Sequence, residues 1–289
     1  MPYTHVDCFS GPGGFCTGLH AAGFETKVAI EYIKSCVDTY SANHPEVHVI
    51  HSDIREVTAD QILPYIPKEG IDLVTSGMPC ETFSTAGNSS RAAYDDRQFL
   101  FREGIRIAQI VNAKMILFEN KRIAKDSKEL VIDYLKKELE EAGYGNFKEF
   151  VLDASKYGVP QKRKRFFILA SKDSQIDVSQ TPVETTPDKE VTVKDAFIDI
   201  PEVIANTWTE NPNYLKEESE YTRLMKNDSF WKRITKEKKL LNHLPMNHRK
   251  NILERFTILQ QGEGLKGLFE RLTAEELAEY QSRKVIPKT

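Results

Sequence analysis

Through the first 170 residues the chain alternates short apolar runs with longer amphipathic ones. "THVDCF", "TKVAIEY", "VHVIHSDI", "IDLVTSG", "KMILFEN" and "RFFILASK" read as strands. Between them "GGFCTGLHAAG", "KSCVDTYSANHP", "LFREGIRIAQIVNA" and "KELVIDYLKKELEEAGY" read as helices. Strands alternating with helices predict an α/β fold, a largely parallel sheet with helices on both faces. The last of these helices should stop at Gly143, where a left-handed cap is wanted. Ligands of such sheets sit beyond the carboxyl ends of the strands, so chemistry is sought there.

After residue 174 the rhythm is lost. "SQIDVSQTPVETTPDKEVTVKD" is polar, with threonines and prolines, and reads as a connector. A domain transition is placed at 175–195, giving a first domain over 1–185 and a second over 186–289. No internal repeat or low-complexity tract stands out.

Charge sharpens this division. The whole chain of 289 residues has a formal net charge of −3, yet residues 221–289 hold 15 Lys and Arg against 8 Asp and Glu. A basic C-terminal third on an acidic body suits a polyanion bound at one face, with Arg249, Lys250 and Arg255 as candidate phosphate contacts. Hydrophobic content of 40% and charged content of 29% are those of an ordinary globular protein. No apolar run reaches the length of a membrane span and the N-terminus lacks a leader pattern, so a cytoplasmic location is expected and no membrane contact. Cys8, Cys16, Cys36 and Cys80 form no CxxC pair, and His243 and His248 lack further ligands at suitable spacing, so no metal is expected. Phe230 and Trp231 are read as core.

Three strand ends form a candidate cofactor cradle. "DCFSGPGGF" follows the first strand and opens the first helix, and its glycines permit a tight turn and close approach to a ligand. Glu31 closes the next strand, where an acid can accept both hydroxyls of a ribose. Asp53-Ile54 closes the third, where a carboxylate can accept from an adenine amino group. The turn departs from GxGxxG and holds no basic residue to meet phosphates. An adenosine ligand without phosphates, S-adenosylmethionine, therefore fits better than a dinucleotide.

Two more strand ends carry polar chemistry. Pro79-Cys80 follows "DLVTSGM", and Glu119-Asn120 ends "MILFEN". In "YGVPQKRKRFF" Gln161, Arg163 and Arg165 alternate, so an extended chain would place them on one face. The 19 residues after Cys80 are small and polar and read as a closing lid.

Taken in order, "DCFSGPGGF", Glu31, Asp53, Pro79-Cys80, "DDRQFLF", Glu119-Asn120 and "YGVPQKRKR" resemble the cytosine-C5 DNA methyltransferase family over residues 4–171. The resemblance implies a Rossmann-like S-adenosylmethionine-dependent methyltransferase sheet, followed by a smaller, incomplete DNA-recognition region. It implies that Phe9, Gly11, Pro12, Gly14, Glu31, Asp53, Ile54, Pro79 and Leu100 line the S-adenosylmethionine site. Cys80 becomes the nucleophile and Glu119 its acid partner; Asn120 fixes the neighbouring backbone, and Arg163 and Arg165 secure the substrate. The reaction implied is methyl transfer to C5 of a cytosine flipped out of duplex DNA, leaving S-adenosylhomocysteine, as in a bacterial or phage restriction-modification enzyme associated with the nucleoid. An RNA cytosine methyltransferase, a non-catalytic DNA-binding subunit and a nicotinamide oxidoreductase are the rivals.

The match has gaps. Lys121 stands where the family usually has Val, and no closing Gly-Asn segment is found. A second polypeptide supplying the missing motifs, or a truncated chain, is the expectation that follows.

Overall fold

The sheet is built from two kinds of strand. In a computed structural model, which describes residues 2–78, 99–121, 129–207, 213–231, 240 and 243–288, strands β1 (Tyr3–Cys8), β2 (Phe24–Glu31), β3 (His48–His51), β4 (Leu73–Ser76) and β5 (Met115–Lys121) pair in parallel. β6 (Asn146–Asp153) and β7 (Lys164–Ser171) form a hairpin whose second strand runs antiparallel to β5. The spatial order is β3-β2-β1-β4-β5-β7-β6. The order reverses between β1 and β4. Right-handed crossovers therefore place the helices on opposite faces on either side of that point, which leaves a crevice at the carboxyl ends of β1 and β4.

The expected helices form as α1 (Gly14–Ala21), α2 (Lys34–Asn43), α4 (Phe101–Ile110) and α5 (Glu129–Glu141), with a short α3 (Ala59–Ile62) between β3 and β4. Both faces of the sheet are covered: in β1 His5, Val6, Asp7 and Cys8 are all buried. Val6, Cys8, Val28, Ile30, Val74, Ile105, Ile107, Ile116, Phe118 and Ile168 share one apolar core. α4 lies so close to β4 that a Cβ at Gly104 would come 2.7 Å from Ser76 Oγ. α5 ends as expected, with Gly143 at φ +88° and the Tyr144 N–H returning to Leu139 O.

β6 was not expected. Its sequence "NFKEFVLD" mixes apolar and charged residues without strict alternation, and as an edge strand it buries neither face completely.

The chain divides into two compact units, Met1–Ile198 with Glu217–Lys236, and Asp199–Lys216 with Glu237–Thr289. The first therefore reaches past residue 185 and takes in α6 (Val193–Phe197), α7 (Glu220–Met225) and α8 (Asp228–Trp231). Phe230 is 48% exposed and meets Trp231 edge to face, so it lies outside the core. The second unit holds α9 (Lys250–Ile258), α10 (Leu265–Arg271) and α11 (Ala274–Ser282) around Leu268, Val285 and Ile286. Thr273 and Glu276 start α11 with a reciprocal capping box. Arg255 Nε donates to Val285 O within the second unit, while Arg249 and Lys250 are exposed. His243 Nε2 donates to Pro201 O, whereas His248 packs on Phe256; the two rings serve different contacts.

Candidate active site at the sheet edge

The crevice opens on the loop after β1. Phe9 takes φ +54°, a left-handed conformation uncommon outside glycine, and Gly11 and Gly13 follow at +55° and +99°. The turn is tied down by Ser10 N–H to Ile30 O and Gly13 N–H to Ser10 O. Glu31 completes it: one carboxylate oxygen accepts the Gly11 N–H at 2.8 Å, and the other accepts the Ile33 N–H at 2.7 Å. Each oxygen keeps a second lone pair, so the buried Glu31 can hold the loop and still accept from a ligand. A Cβ on Gly11 or Gly14 would meet nothing within 4 Å, so the loop faces open space. Among the described residues the buried Ser10 Oγ has no hydrogen-bond partner. Pro12 is exposed on the same loop.

Behind the loop lies a buried polar brace. Thr17 Oγ1 donates to Gly13 O and sits 3.0 Å from His44 Nε2. Cys16, His20 and His44 place ligand-type atoms within 4.8 Å of one another; the Thr26 N–H reaches His20 Nε2, and Glu46 lies 3.4 Å from His20 Nδ1. A second network runs through the strands: His5 bridges Thr26 and Thr75, Thr75 Oγ1 donates to Asp7 at 2.7 Å, and Tyr40 OH points to the same carboxyl. Because the Thr75 proton goes to Asp7, His5 must donate from Nε2 and accept at Nδ1, the neutral form. Burial lowers His5 to a pKa of about 3 and raises Asp7 to about 7. Sequence reasoning passed over Asp7; its signal is a carboxylate inside a strand with apolar neighbours on both sides.

Asp53 follows β3 and caps a 3₁₀ turn that includes the buried Ile54. Its carboxylate accepts the Arg55 N–H and is paired with the Arg55 guanidinium, which holds its pKa low. Arg106 of α4 fixes this turn by donating to Ile54 O and Val57 O. Leu100 immediately precedes α4 and is partly buried.

At the next strand end the antiparallel register matters. Lys121 of β5 stands opposite Arg165 of β7, so the start of β7 reaches the edge where β5 ends. There Arg165 Nε lies 2.9 Å from Glu119 Oε1, both side chains mostly buried. Burial raises the Glu119 pKa, and the charges of Arg165 and Arg163 oppose that rise without overcoming it. Asn120 is buried beside it. Arg163 is exposed, and its N–H donates to Asp153 Oδ1. β7 begins only at Lys164, so Gln161 lies in the preceding turn, its N–H on Val159 O, and does not extend the arginine face. Pro79, Cys80 and the lid segment up to residue 98 lie outside the described residues. The strand that leads to them, β4, is central in the sheet, and Gly77 N–H bonds to Cys8 O beside the loop.

The model of the family described as C-5 cytosine-specific DNA methylase matches residues 3–284. The chain is 30% identical over 264 residues to the type II methyltransferase M1.HphI of Haemophilus parahaemolyticus, covering 91% of this chain and 62% of that one. It is 29% identical over 273 residues to the type II methyltransferase M.DdeI of Desulfomicrobium norvegicum, covering 92% and 63%. A DNA modification methyltransferase encoded within an Escherichia coli prophage superposes with a TM-score of 0.61 at 25% identity, over 77% of this chain and 64% of that one. The Spodoptera frugiperda DNMT2 structure, at 21% identity and a TM-score of 0.52, shares the fold. The chain thus spans a little under two thirds of the length of these curated relatives.

Proposed function

The chain belongs to the C-5 cytosine-specific DNA methylase family, and from that premise we propose that it methylates C5 of a flipped-out cytosine in duplex DNA through a covalent bond to Cys80. The observation that carries this reading is the Glu119–Arg165 pair at the end of β5, one strand from β4 and two from the glycine loop.

S-adenosylmethionine, when bound, supplies an electrophilic methyl group on a sulfonium. The loop residues fit it: open space before Gly11 and Gly14, spare lone pairs on Glu31, and an unpartnered Ser10 hydroxyl are what an adenosyl ligand without phosphates needs. Phe9, Pro12, Asp53, Ile54, Pro79 and Leu100 are assigned to the same ligand.

The residues of the chain act on the base. Cytosine C5 is a weak nucleophile, and addition of the Cys80 thiolate at C6 turns it into an enamine carbon able to take a methyl group. As sulfur adds, negative charge grows towards N3. Burial biases the Glu119 carboxyl towards its protonated form, which favours the role assigned to it, a proton or strong hydrogen bond given to N3. Arg165 holds that carboxyl in place, and Arg163 and Arg165 together supply positive charge for the base carbonyl. Asn120, buried beside Glu119, fixes the strand end. Loss of the C5 proton to a base then lets the sulfur depart as thiolate, while the N3 proton returns to Glu119 and the aromatic ring is restored. The stacked duplex bars access to C6, so the cytosine must leave the helix.

Cofactor binding and catalysis are assigned to the first compact unit and DNA recognition to the second, with a bacterial or phage modification enzyme of the cytoplasm as the setting. None of the helices among the described residues is long and apolar enough to cross a membrane. The test is incubation with methyl-deuterated S-adenosylmethionine and unmethylated duplex DNA, followed by nucleoside mass spectrometry. Deuterated 5-methyl-2′-deoxycytidine supports the reading. Label found only in RNA offered alongside, or in neither, overturns it.

A further inference from the structure

The polar connector after β7 returns to the turn that presents the arginines. That turn consists of a 3₁₀ segment, Ala154–Tyr157, then Gly158 at φ +78°, then residues 159–163 leading into β7. Its two ends are joined by Ala154 N–H to Arg163 O, and Asp153 Oδ1 collects the N–H groups of Ser155 and Arg163.

The connector grips the middle of the same turn. Thr185 and Thr186 both donate their N–H to Lys156 O, at 3.0 and 2.9 Å. The Thr186 hydroxyl accepts the Gly158 N–H at 3.0 Å and donates to Ser155 O at 3.2 Å, so one side chain spans both ends of the 3₁₀ segment. Tyr157 OH donates to Pro182 O, and Lys156 Nζ to Pro187 O. Glu190 lies 3.6 Å from Lys156 Nζ and 3.4 Å from Lys162 Nζ, and accepts from Ser155 Oγ. Within 181–190 only Thr186 and Glu190 are half-buried; every neighbour is exposed. A passive linker has no reason to bury just the two side chains that bridge to the turn.

We propose that residues 182–190 form a clamp on the turn 154–163, with Thr186 and Glu190 as positioning residues that set where Arg163 and Arg165 stand relative to Glu119. The inference rests on the proposed reading of the arginines as base contacts. Its physical basis is leverage. β7 starts one residue after Arg163, so slack in the turn passes directly into the first strand residues. Charged side chains displaced by about 1 Å from a reacting group lose rate by roughly two orders of magnitude.

The test uses Thr186→Val, which keeps the shape and removes both hydroxyl bonds, and Thr186→Ser, which keeps them. Three readouts are taken: amide exchange over 154–163, the titration of ¹³C-labelled Glu119, and single-turnover methyl transfer with affinity for S-adenosylmethionine. The clamp predicts faster exchange in the turn alone and a Glu119 carboxyl that titrates at higher pH as Arg165 moves away. It also predicts a transfer rate lower by ~10- to 100-fold with unchanged cofactor affinity, Thr186→Ser restoring all three. Unchanged exchange, or faster exchange with an unmoved Glu119 titration, overturns it. If the wild-type chain transfers no methyl group, the proposed function fails, while exchange and the Glu119 titration still decide the clamp.

Discussion

Replacing Glu31 by Gln tests the idea that one carboxylate holds both the loop and the ligand. The side chain accepts the Gly11 N–H at 2.8 Å and the Ile33 N–H at 2.7 Å, one on each oxygen, and is only 8% exposed. Gln keeps the shape but has one acceptor oxygen, so an NH₂ group must face one of those two donors. Losing a hydrogen bond to a charged acceptor costs about 1.5–3 kcal/mol. For a domain of this size that lowers the melting temperature by about 3–12 °C. The ribose loses an acceptor as well, so affinity for S-adenosylmethionine should fall roughly tenfold or more, since about 1.4 kcal/mol is a factor of ten. Glu31→Ala removes every acceptor and should be worse on both counts, its cofactor loss being about 1.5–3 kcal/mol. Calorimetry on the same samples gives the two quantities, melting of the free protein and titration with cofactor. If Gln leaves both unchanged, Glu31 neither ties the loop nor meets the ribose. A fall in melting temperature with unaltered cofactor affinity would keep the first role and remove the second.

Asp7→Asn should make stability rise with pH between about pH 4 and 6.5, where two opposed groups of the wild type nearly cancel. The folded protein keeps a proton on Asp7 up to about 7 that the unfolded chain releases near 3.8, so the Asp7 contribution to stability falls as pH rises through that window. His5, held neutral to about 3 against 6.5 unfolded, contributes the opposite slope, stability lost as pH drops below 6.5, and that slope should survive in the variant. Urea melts at several pH values read both, and an unchanged profile removes Asp7 from the account. Glu119→Gln should lower the transfer rate by roughly 10²–10⁴, and in the Glu119 enzyme Arg165→Met should move the alkaline limb of the rate profile to higher pH, because a charge that lowers the carboxyl pKa is gone. A limb that stays in place would mean that Glu119 is not the group being titrated. Arg249→Ala with Lys250→Ala should make the log–log salt dependence of DNA affinity shallower by roughly one to two, cognate and random duplexes weakening alike. A solvated helix start would leave the slope as it was.

The sheet and the chemistry at its carboxyl edge are readable because the parallel strands are buried on both faces and announce themselves as apolar runs ending in small or acidic residues. Glu31, Asp53 and Glu119 could be placed at strand ends for that reason. The hairpin was harder. "NFKEFVLD" is an edge strand with charged residues on both sides, and only pairing with β7 makes it one. That pairing brings Arg165 against Glu119, a contact that no spacing in the sequence encodes. Gln161 was misjudged because alternation was extended into a turn, whose geometry Gly158 and Asp153 dictate. The connector read as polar linker for a similar reason. Its contacts are made by backbone groups and single hydroxyls, which leave no periodic trace. Charge alone makes Arg255 a candidate phosphate contact, and does not reveal that its Nε bonds to the Val285 carbonyl.

The central claim is that Cys80 bonds to the cytosine, and covalent capture tests it most directly. Duplex DNA with 5-fluorocytosine at the target position, incubated with the protein and S-adenosylmethionine, should give an adduct that survives denaturing electrophoresis, because fluorine cannot leave C5 as a cation. The account predicts that adduct for the wild-type chain and none for Cys80→Ser. An adduct of equal yield in Cys80→Ser, or its absence from a wild-type sample that methylates ordinary cytosine, would contradict it.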